Sequence, residues 1–224
     1  MSCVIWPPAL VAVAPTEASL AHGESTVRVP VRIDHVIYGT ADLDVAAGRV
    51  ETELGLSAVA GGRHEGLGTH NRIVPLGGGS YIELLAVADP DEARGSAIGA
   101  ALQAAIARGE GLLGWAVAVE DLGPIAARLG TPITGVRRQG LSARLTGVQE
   151  SLAEPSLPFF IERPAVRGSA DAPNNAGEIS WIEVGGDGRR LERWLGGAVL
   201  PVRVLDGEPG VRAVAVAGRE LRTR

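Results

Sequence analysis

The sequence contains no lysine and has little cysteine, histidine or aromatic content. All 21 basic residues among its 224 are arginines, which excludes a Schiff-base lysine, a P-loop lysine and the ATP lysine of a kinase. A single cysteine, Cys3, excludes a disulfide framework, a CxxC redox pair and a thiolate zinc cluster. Because there are only 4 histidines, any metal site must also use carboxylates.

The charge and hydropathy patterns exclude two further classes of partner. The formal net charge is -5 and the arginines are scattered, so nucleic acid has no broad electrostatic reason to bind. The apolar stretch near the start, residues 4–14, is too short to cross a bilayer and contains Pro7 and Pro8. We therefore expect neither a nucleic-acid partner nor a membrane span.

Residues 1–26 are predicted to form an irregular leader. Within it, Ala12-Val13-Ala14 resembles the cleavage site of a signal peptide. No arginine or lysine precedes that site, as an exported protein would require, so a cytoplasmic location is expected.

Residues 27–88 show the pattern of one βαβββ unit. Apolar residues predict a strand over Val27–Tyr38, and Thr40 or Asp42 can cap the amphipathic helix that ends before Gly55. Three strands are predicted to follow, at 57–61, 71–75 and 80–87.

The same order of elements returns about eighty residues later. Trp115-Ala116-Val117 corresponds to His35-Val36-Ile37 at an offset of 115 − 35 = 80, and Phe160-Ile161-Glu162 to Tyr81-Ile82-Glu83 at 162 − 83 = 79. Such constant offsets indicate a duplication. They predict a connecting helix within 89–110, a second βαβββ unit over 111–167, and a loop with an abbreviated third unit over 168–224.

Several of these segments resemble the vicinal oxygen chelate superfamily, and more narrowly its glyoxalase-like branch. In the first unit the resemblance is carried by Asp34-His35-Val36-Ile37, by Gly68-Thr69-His70-Asn71-Arg72 and by Tyr81-Ile82-Glu83-Leu84-Leu85. In the second unit it is carried by Leu157-Pro158-Phe159-Phe160-Ile161-Glu162.

The resemblance implies an α+β fold in which two βαβββ units form a half-open barrel around a cleft. It also implies a divalent metal (Zn, Fe, Mn or Ni) held at positions that fall on His35, Glu83, Trp115 and Glu162. An indole cannot coordinate a metal, so the expected ligands are His35, Glu83 and Glu162. A cleft without a metal is the alternative, since Glu162 can instead pair with an arginine at the end of its strand.

Other residues are candidates for binding or chemistry in the same cleft. His70 is the candidate acid or base, while Asn71, Tyr81, Trp115 and Phe160 are the candidate substrate contacts. Alternatively, His70 and Asn71 only satisfy local backbone groups in a turn. His64, in a glycine-rich stretch, is expected to be an exposed loop residue.

Two functions are consistent with this pattern. The first is a metal-dependent lyase, isomerase or dioxygenase acting on a small oxygenated molecule. The second is a metal-free protein that binds or sequesters a small molecule, with Trp115 as a stacking surface. Since units of this superfamily pair within or between chains, a homodimer is also possible.

Overall fold

The computed structural model describes residues 31–138, 141–163, 174 and 176–223. The predicted leader and the first residues of the first predicted strand lie outside these ranges, as does most of the loop predicted after residue 163.

The first unit has the predicted βαβββ order. The Asp42 side chain accepts hydrogen bonds from the backbone N–H groups of Asp44 and Val45, which begins the helix. The helix ends at Gly55, whose φ of 70° is accessible to glycine at little cost. The elements are β1 (Arg32–Gly39), α1 (Leu43–Leu54), β2 (Val59–His64), β3 (Thr69–Pro75) and β4 (Tyr81–Val87).

The connection between the units contains two helices where the sequence predicted one. They are α2 (Pro90–Arg94) and α3 (Ala97–Arg108). The break occurs because the Ser96 side chain caps α3 by accepting from the N–H of Gly99.

The second unit repeats the order with one insertion. Its elements are β5 (Gly111–Ala118), α4 (Gly123–Leu129), β6 (Ile133–Arg138), β7 (Leu141–Thr146), α5 (Val148–Ala153) and β8 (Phe159–Glu162). Helix α5 was not predicted, and it separates the last two strands.

The eight strands of the two units form one strongly curled sheet in the order β1-β4-β3-β2-β6-β7-β8-β5. β1 lies parallel to β4 and antiparallel to β5, so the two units meet along their first strands. The predicted α+β class and barrel architecture are therefore confirmed. The sheet also closes, because β2 and β6 pair at His64 and Arg138.

A second sheet covers part of the barrel's outer face. It contains β9 (Ile179–Gly185), α6 (Gly188–Leu195), β10 (Val202–Leu205), β11 (Gly210–Val216) and β12 (Arg219–Arg222), with the strand order β10-β9-β11-β12. The order of elements matches a βαβββ unit, but the first strand of this sheet pairs with the second and third strands rather than with the last. Its apolar face packs with α1 and the outer side of the barrel in one core.

None of the helices in these ranges is long and apolar enough to cross a membrane.

Candidate active site

A half-open cavity of about 1360 Å³ is lined by the inner face of the barrel and extends to α3 and α5 outside it. Because side chains alternate between the faces of a strand, every second residue of β1, β3 and β4 points inward. The apolar part of the lining dominates and includes Ile37, Ile73, Leu85, Leu145, Phe159 and Ile161. Its polar and charged lining includes His35, His64 and Glu83 of the first unit and Arg137 and Ser142 of the second.

His35 is held in a fixed orientation from three sides. Its Nδ1 lies 2.9 Å from Oδ2 of Asp34, its ring stacks on Tyr81 at 4.5 Å, and Phe159 contacts it edge-on at 5.5 Å. A carboxylate only accepts hydrogen bonds, so Nδ1 carries a hydrogen. The other ring nitrogen, Nε2, then faces the cavity, 3.7 Å from Oε2 of Glu83.

Asp34 is fully buried and is compensated by an arginine from the other unit. The Arg163 guanidinium donates to both Asp34 oxygens, at 2.8 and 3.3 Å, and to the carbonyl of Gly79 at 3.0 Å. Burial by itself would raise the pKa of Asp34, but the hydrogen bonds and charges of His35 and Arg163 lower the pKa below its usual value. Asp34 therefore stays ionised and fixes the tautomer of His35.

The other oxygen of Glu83 is occupied by the side-chain amide of Asn71. The Asn71 amide is oriented by its oxygen, which accepts from the N–H of Gly62 at 2.9 Å. Its nitrogen consequently donates to Oε1 of Glu83 and lies 3.4 Å from Nε2 of His64. His64 is held in turn by Thr69, whose Oγ1 lies 2.9 Å from Nδ1.

These residues do not fit the metal centre that the superfamily resemblance implies. The NH₂ group of Asn71 lies between His64 Nε2 and Glu83 Oε1 and donates to the carboxylate. A cation at that point would need the lone pairs of both atoms. Of the described side chains in this group, only His35 Nε2 and Glu83 Oε2 still face the cavity together, whereas catalytic zinc sites use three protein ligands. Across the described ranges, no group of three or more His, Cys, Asp or Glu side chains could hold a metal ion.

The structure places three of the predicted site residues away from the cavity. Trp115 is fully buried in the core on the outer side of the barrel and donates from its indole nitrogen to the carbonyl of Ser156 at 3.0 Å. Phe160 lies in that same core. Glu162 accepts from the N–H of Leu122 at 3.0 Å and from Arg144 at 2.8 Å.

The inward positions of β5 and β8 are apolar. Phe159 and Ile161 line the cavity on β8, and Ala116 clusters with them on β5. The correspondence that aligned Glu162 with Glu83 is therefore shifted by one residue relative to the faces of the strands, because a one-residue slip exchanges the two faces.

Of the remaining predicted residues, Tyr81 and Asn71 lie with Glu83, while His70 does not. His70 follows Thr69 and precedes Asn71 on β3, so its side chain points to the opposite face of the sheet. His64, expected to be exposed, lies in the cavity with its side chain 15% exposed. The short spacing between His64 and Thr69 is the feature of the sequence that could have indicated this, because the two residues pair across a tight hairpin.

Paired βαβββ units around a half-open cavity, with a histidine on the first strand and a glutamate on the fourth, define a glyoxalase-like protein of the vicinal oxygen chelate superfamily. A family profile described as "Glyoxalase-like domain" matches residues 33–198, and the chain belongs to this family.

One solved structure shares the fold, and two others are similar over a smaller part of the chain. A hypothetical protein from Staphylococcus aureus is similar with a TM-score of 0.65 and 16% identity, over 84% of this chain and 91% of that one. Methylmalonyl-CoA epimerase from Mycobacterium tuberculosis aligns at TM-score 0.46 and 25% identity, over 64% of this chain and 94% of that one. A Streptomyces coelicolor methylmalonyl-CoA epimerase aligns at TM-score 0.47 and 23% identity, over 60% and 98%. No curated protein matches the chain.

Proposed function

We propose that this protein is an acid–base enzyme, an isomerase or lyase, that moves a proton on a small organic molecule bound in the barrel cavity. The observation that carries the proposal is the pair formed by His35 Nε2 and Glu83 Oε2, 3.7 Å apart at the end of an apolar cavity.

The pair has the features of a proton-transfer site. Both side chains are buried, with residue exposures of 3% for His35 and 8% for Glu83, and both are oriented by neighbours. His35 Nε2 and Glu83 Oε2 both face the cavity, so a substrate atom placed beside them is within reach of a group that can take a proton and of one that can return it.

The reaction needs no co-reactant. Glu83 or His35 takes a proton from one substrate atom, and the electron pair left behind moves into the substrate's π system. Return of the proton to a neighbouring atom completes an isomerisation, while loss of a leaving group in its place completes an elimination. Asp34 supports the charge when His35 is protonated.

Metal-free binding without chemistry is the second candidate function. It is favoured by the size and apolar lining of the cavity, which suit sequestration of an organic molecule. Among the residues that the structure describes, the metal-dependent alternative would take its donors from His35, Glu83 and His64, all within the first unit.

Deuterium exchange tests the catalytic proposal directly. We expect the wild-type protein to exchange α-protons of at least one member of a panel of apolar ketones and hydroxyketones with D₂O, followed by NMR. Glu83→Gln should reduce the rate by about a hundredfold or more, as loss of a general base does. His70→Ala, on the outer face, is the matched control and should leave the rate unchanged. Exchange by Glu83→Gln at the wild-type rate would contradict the proposal, and binding of panel members without exchange would favour sequestration.

A further inference from the structure

The register of β1 and β4 shows in which direction the apolar part of the cavity extends. Because residues two apart on a strand share a face, His35, Ile37 and Gly39 follow one another along the inner face of β1. Gly39, which pairs with Leu85 of β4, is the last of them. At about 3.3 Å per residue, Gly39 lies roughly 13 Å from His35. The inner face of these strands therefore leads away from the candidate proton-transfer pair toward Gly39 and Leu85.

Helix α3 closes the cavity at this far end. A Cβ at Gly39 would overlap the side chain of Leu113 and would lie 3.2 Å from Cδ1 of Leu102 on α3. Within α3, Gly99 and Leu102 are buried and the other residues are half-buried or exposed, so the helix does not pack its whole apolar face on the barrel. The residues of α3 that line the cavity recur at helical spacing and are Ile98, Ala101, Leu102, Ala104, Ala105 and Arg108.

Alanine occupies the middle of this lining face. Ala101 and Ala105 are half-buried and Ala104 is exposed, so none of the three is enclosed by the core. A larger side chain at these positions would therefore project into the cavity and reduce the space between α3 and the barrel. The depth of the cavity at its far end depends on these three methyl groups.

From this arrangement we infer that α3 sets the maximum length of the ligand's apolar part, with Ala101, Ala104 and Ala105 as specificity-determining residues. A molecule whose reacting end lies beside His35 and Glu83 extends along β1 and β4 until it meets α3. The inference rests on the proposed function in placing that reacting end. It goes further in assigning a limit of chain length and the helix that imposes it.

Charged side chains also line the cavity, and their effect has to be separated from that of chain length. Besides the residues of the candidate site, they include Arg137 and Arg163 of the second unit, Arg108 on α3, and Glu208 and Arg212 of the second sheet and its loop. A series of ligands with the same uncharged head group keeps the interactions of that group constant while the chain grows. Methyl ketones with hexyl, octyl, decyl and dodecyl chains form such a series.

Isothermal titration calorimetry of the full-length protein with each ketone tests the inference. In the wild type, affinity should rise by about fourfold per methylene group while the chain lies within the cavity, and should level off once the chain meets α3. Ala105→Trp should make the affinity level off at a shorter chain. Binding of the dodecyl ketone should then fall by about tenfold or more, whereas binding of the hexyl ketone should change by less than about twofold.

Ala107→Trp is the matched control, because Ala107 lies on the same helix but is exposed and does not line the cavity. It should bind every ketone as the wild type does. Ala104→Trp, at an exposed position of the lining, should reproduce the effect of Ala105→Trp and replaces it should that variant fail to fold. Three results would overturn the inference: no binding of any ketone to the wild type, an equal loss for all four chains in the lining variants, or an unchanged affinity for the dodecyl ketone.

The result is independent of the catalytic proposal, because binding is measured without turnover. If the limit of chain length moves in Ala105→Trp but the wild type exchanges no deuterium, the role of α3 stands and the catalytic proposal fails. If the wild type exchanges deuterium but Ala105→Trp binds the dodecyl ketone as tightly as the wild type does, the catalytic proposal stands and the role of α3 fails.

Discussion

At the scale of single residues, the part of the site that is most dependent on its surroundings is Asp34. It has no exposed surface, and it links a histidine of the first unit to an arginine that follows the last strand of the second. A buried ion pair of this kind contributes little more to folding stability than a well-packed apolar pair would. Removing one member, however, leaves the other charge buried and uncompensated. Asp34 therefore matters both to folding and to the orientation of His35.

Asp34→Asn should lower stability in a pH-dependent way. At pH 7 we expect a loss of about 3 kcal/mol, because Arg163 is left without its buried partner. The folded-state pKa of Asp34 is lowered, so its contribution is present above the unfolded-state pKa of about 3.9 and is lost as the pH falls through the folded-state value. The difference between wild type and variant should therefore narrow below about pH 4, as measured by urea unfolding.

Asp44→Asn is the matched control. The Asp44 side chain is 79% exposed and pairs with Arg72 at the surface, so its removal should change stability by under about 1 kcal/mol. Equal losses of unfolding free energy in the two variants would contradict the role given to the Asp34–Arg163 pair. A loss in Asp34→Asn that persists at acid pH would contradict it as well.

Some residues of the candidate site could be predicted from the sequence and others could not. The family resemblance identified His35 and Glu83, and the structure brings them together in the cavity. His64 was missed because its glycine-rich stretch has low strand propensity, whereas pairing with β3 makes it a strand. Sheet pairing is a tertiary effect that the local sequence does not carry.

At the scale of elements, the irregular strand β2 positions the amide of Asn71. Its pairing with β3 shifts between Ala60 and Arg63, and Gly61 packs directly on Asn71. A Cβ at Gly61 would overlap both the side-chain oxygen and the backbone of Asn71. The absence of a side chain at this position therefore allows the amide to reach Glu83.

Gly61→Ala should cost about 2 kcal/mol of stability, since the overlapping atoms include backbone that cannot move freely. It should also disturb the contact between Asn71 and Glu83 and reduce deuterium exchange. Gly135→Ala on β6, where a Cβ would meet nothing within 4 Å, should be tolerated. Thermal unfolding of both variants provides the measurement, and equal melting temperatures would refute the role given to Gly61.

The first unit was predicted closely in the order of its elements, while the second shows the limit of reading faces from a repeat. The offsets of 79 and 80 rest on similar residues in the two units. However, α5 precedes β8 in the second unit, and the inward residues of β8 are Phe159 and Ile161. Because side chains alternate with a period of two, an error of one residue moves Phe160 and Glu162 from the cavity to the opposite face. The order of the elements follows from the hydrophobic pattern and the turn residues along the chain, whereas the face on which a strand residue lies depends on how that strand pairs with its neighbour.

At the scale of the whole molecule, the two units are unequal despite their shared topology. The first supplies His35, His64 and Glu83, whereas the second supplies mainly apolar walls together with arginines, including Arg137 and Arg163. A metal centre shared by both units would need donors on β5 and β8, and the inward positions of those strands provide none.

We therefore expect no stoichiometric metal that depends on His35. Zn²⁺, Mn²⁺, Ni²⁺ or Fe²⁺ is added to chelator-treated protein, and the melting temperature is measured with and without the metal. The rise in melting temperature should be no larger in the wild type than in His35→Ala. His70→Ala is the control, because its side chain faces away from the cavity. One metal per chain by elemental analysis, lost in His35→Ala and retained in His70→Ala, would show that a site forms from the first unit alone.

The placement of the tryptophans decides what optical measurements can report. Trp115 and Trp194 each donate to a backbone carbonyl on the outer side of the barrel, and Trp181 stacks with Arg203 on the second sheet. None of these three indoles lines the cavity. Their emission should follow the packing of the second sheet on the barrel and change little when the cavity fills. The variant Ala105→Trp would instead carry an indole in the lining of the cavity, so its fluorescence emission would report whether the cavity is occupied.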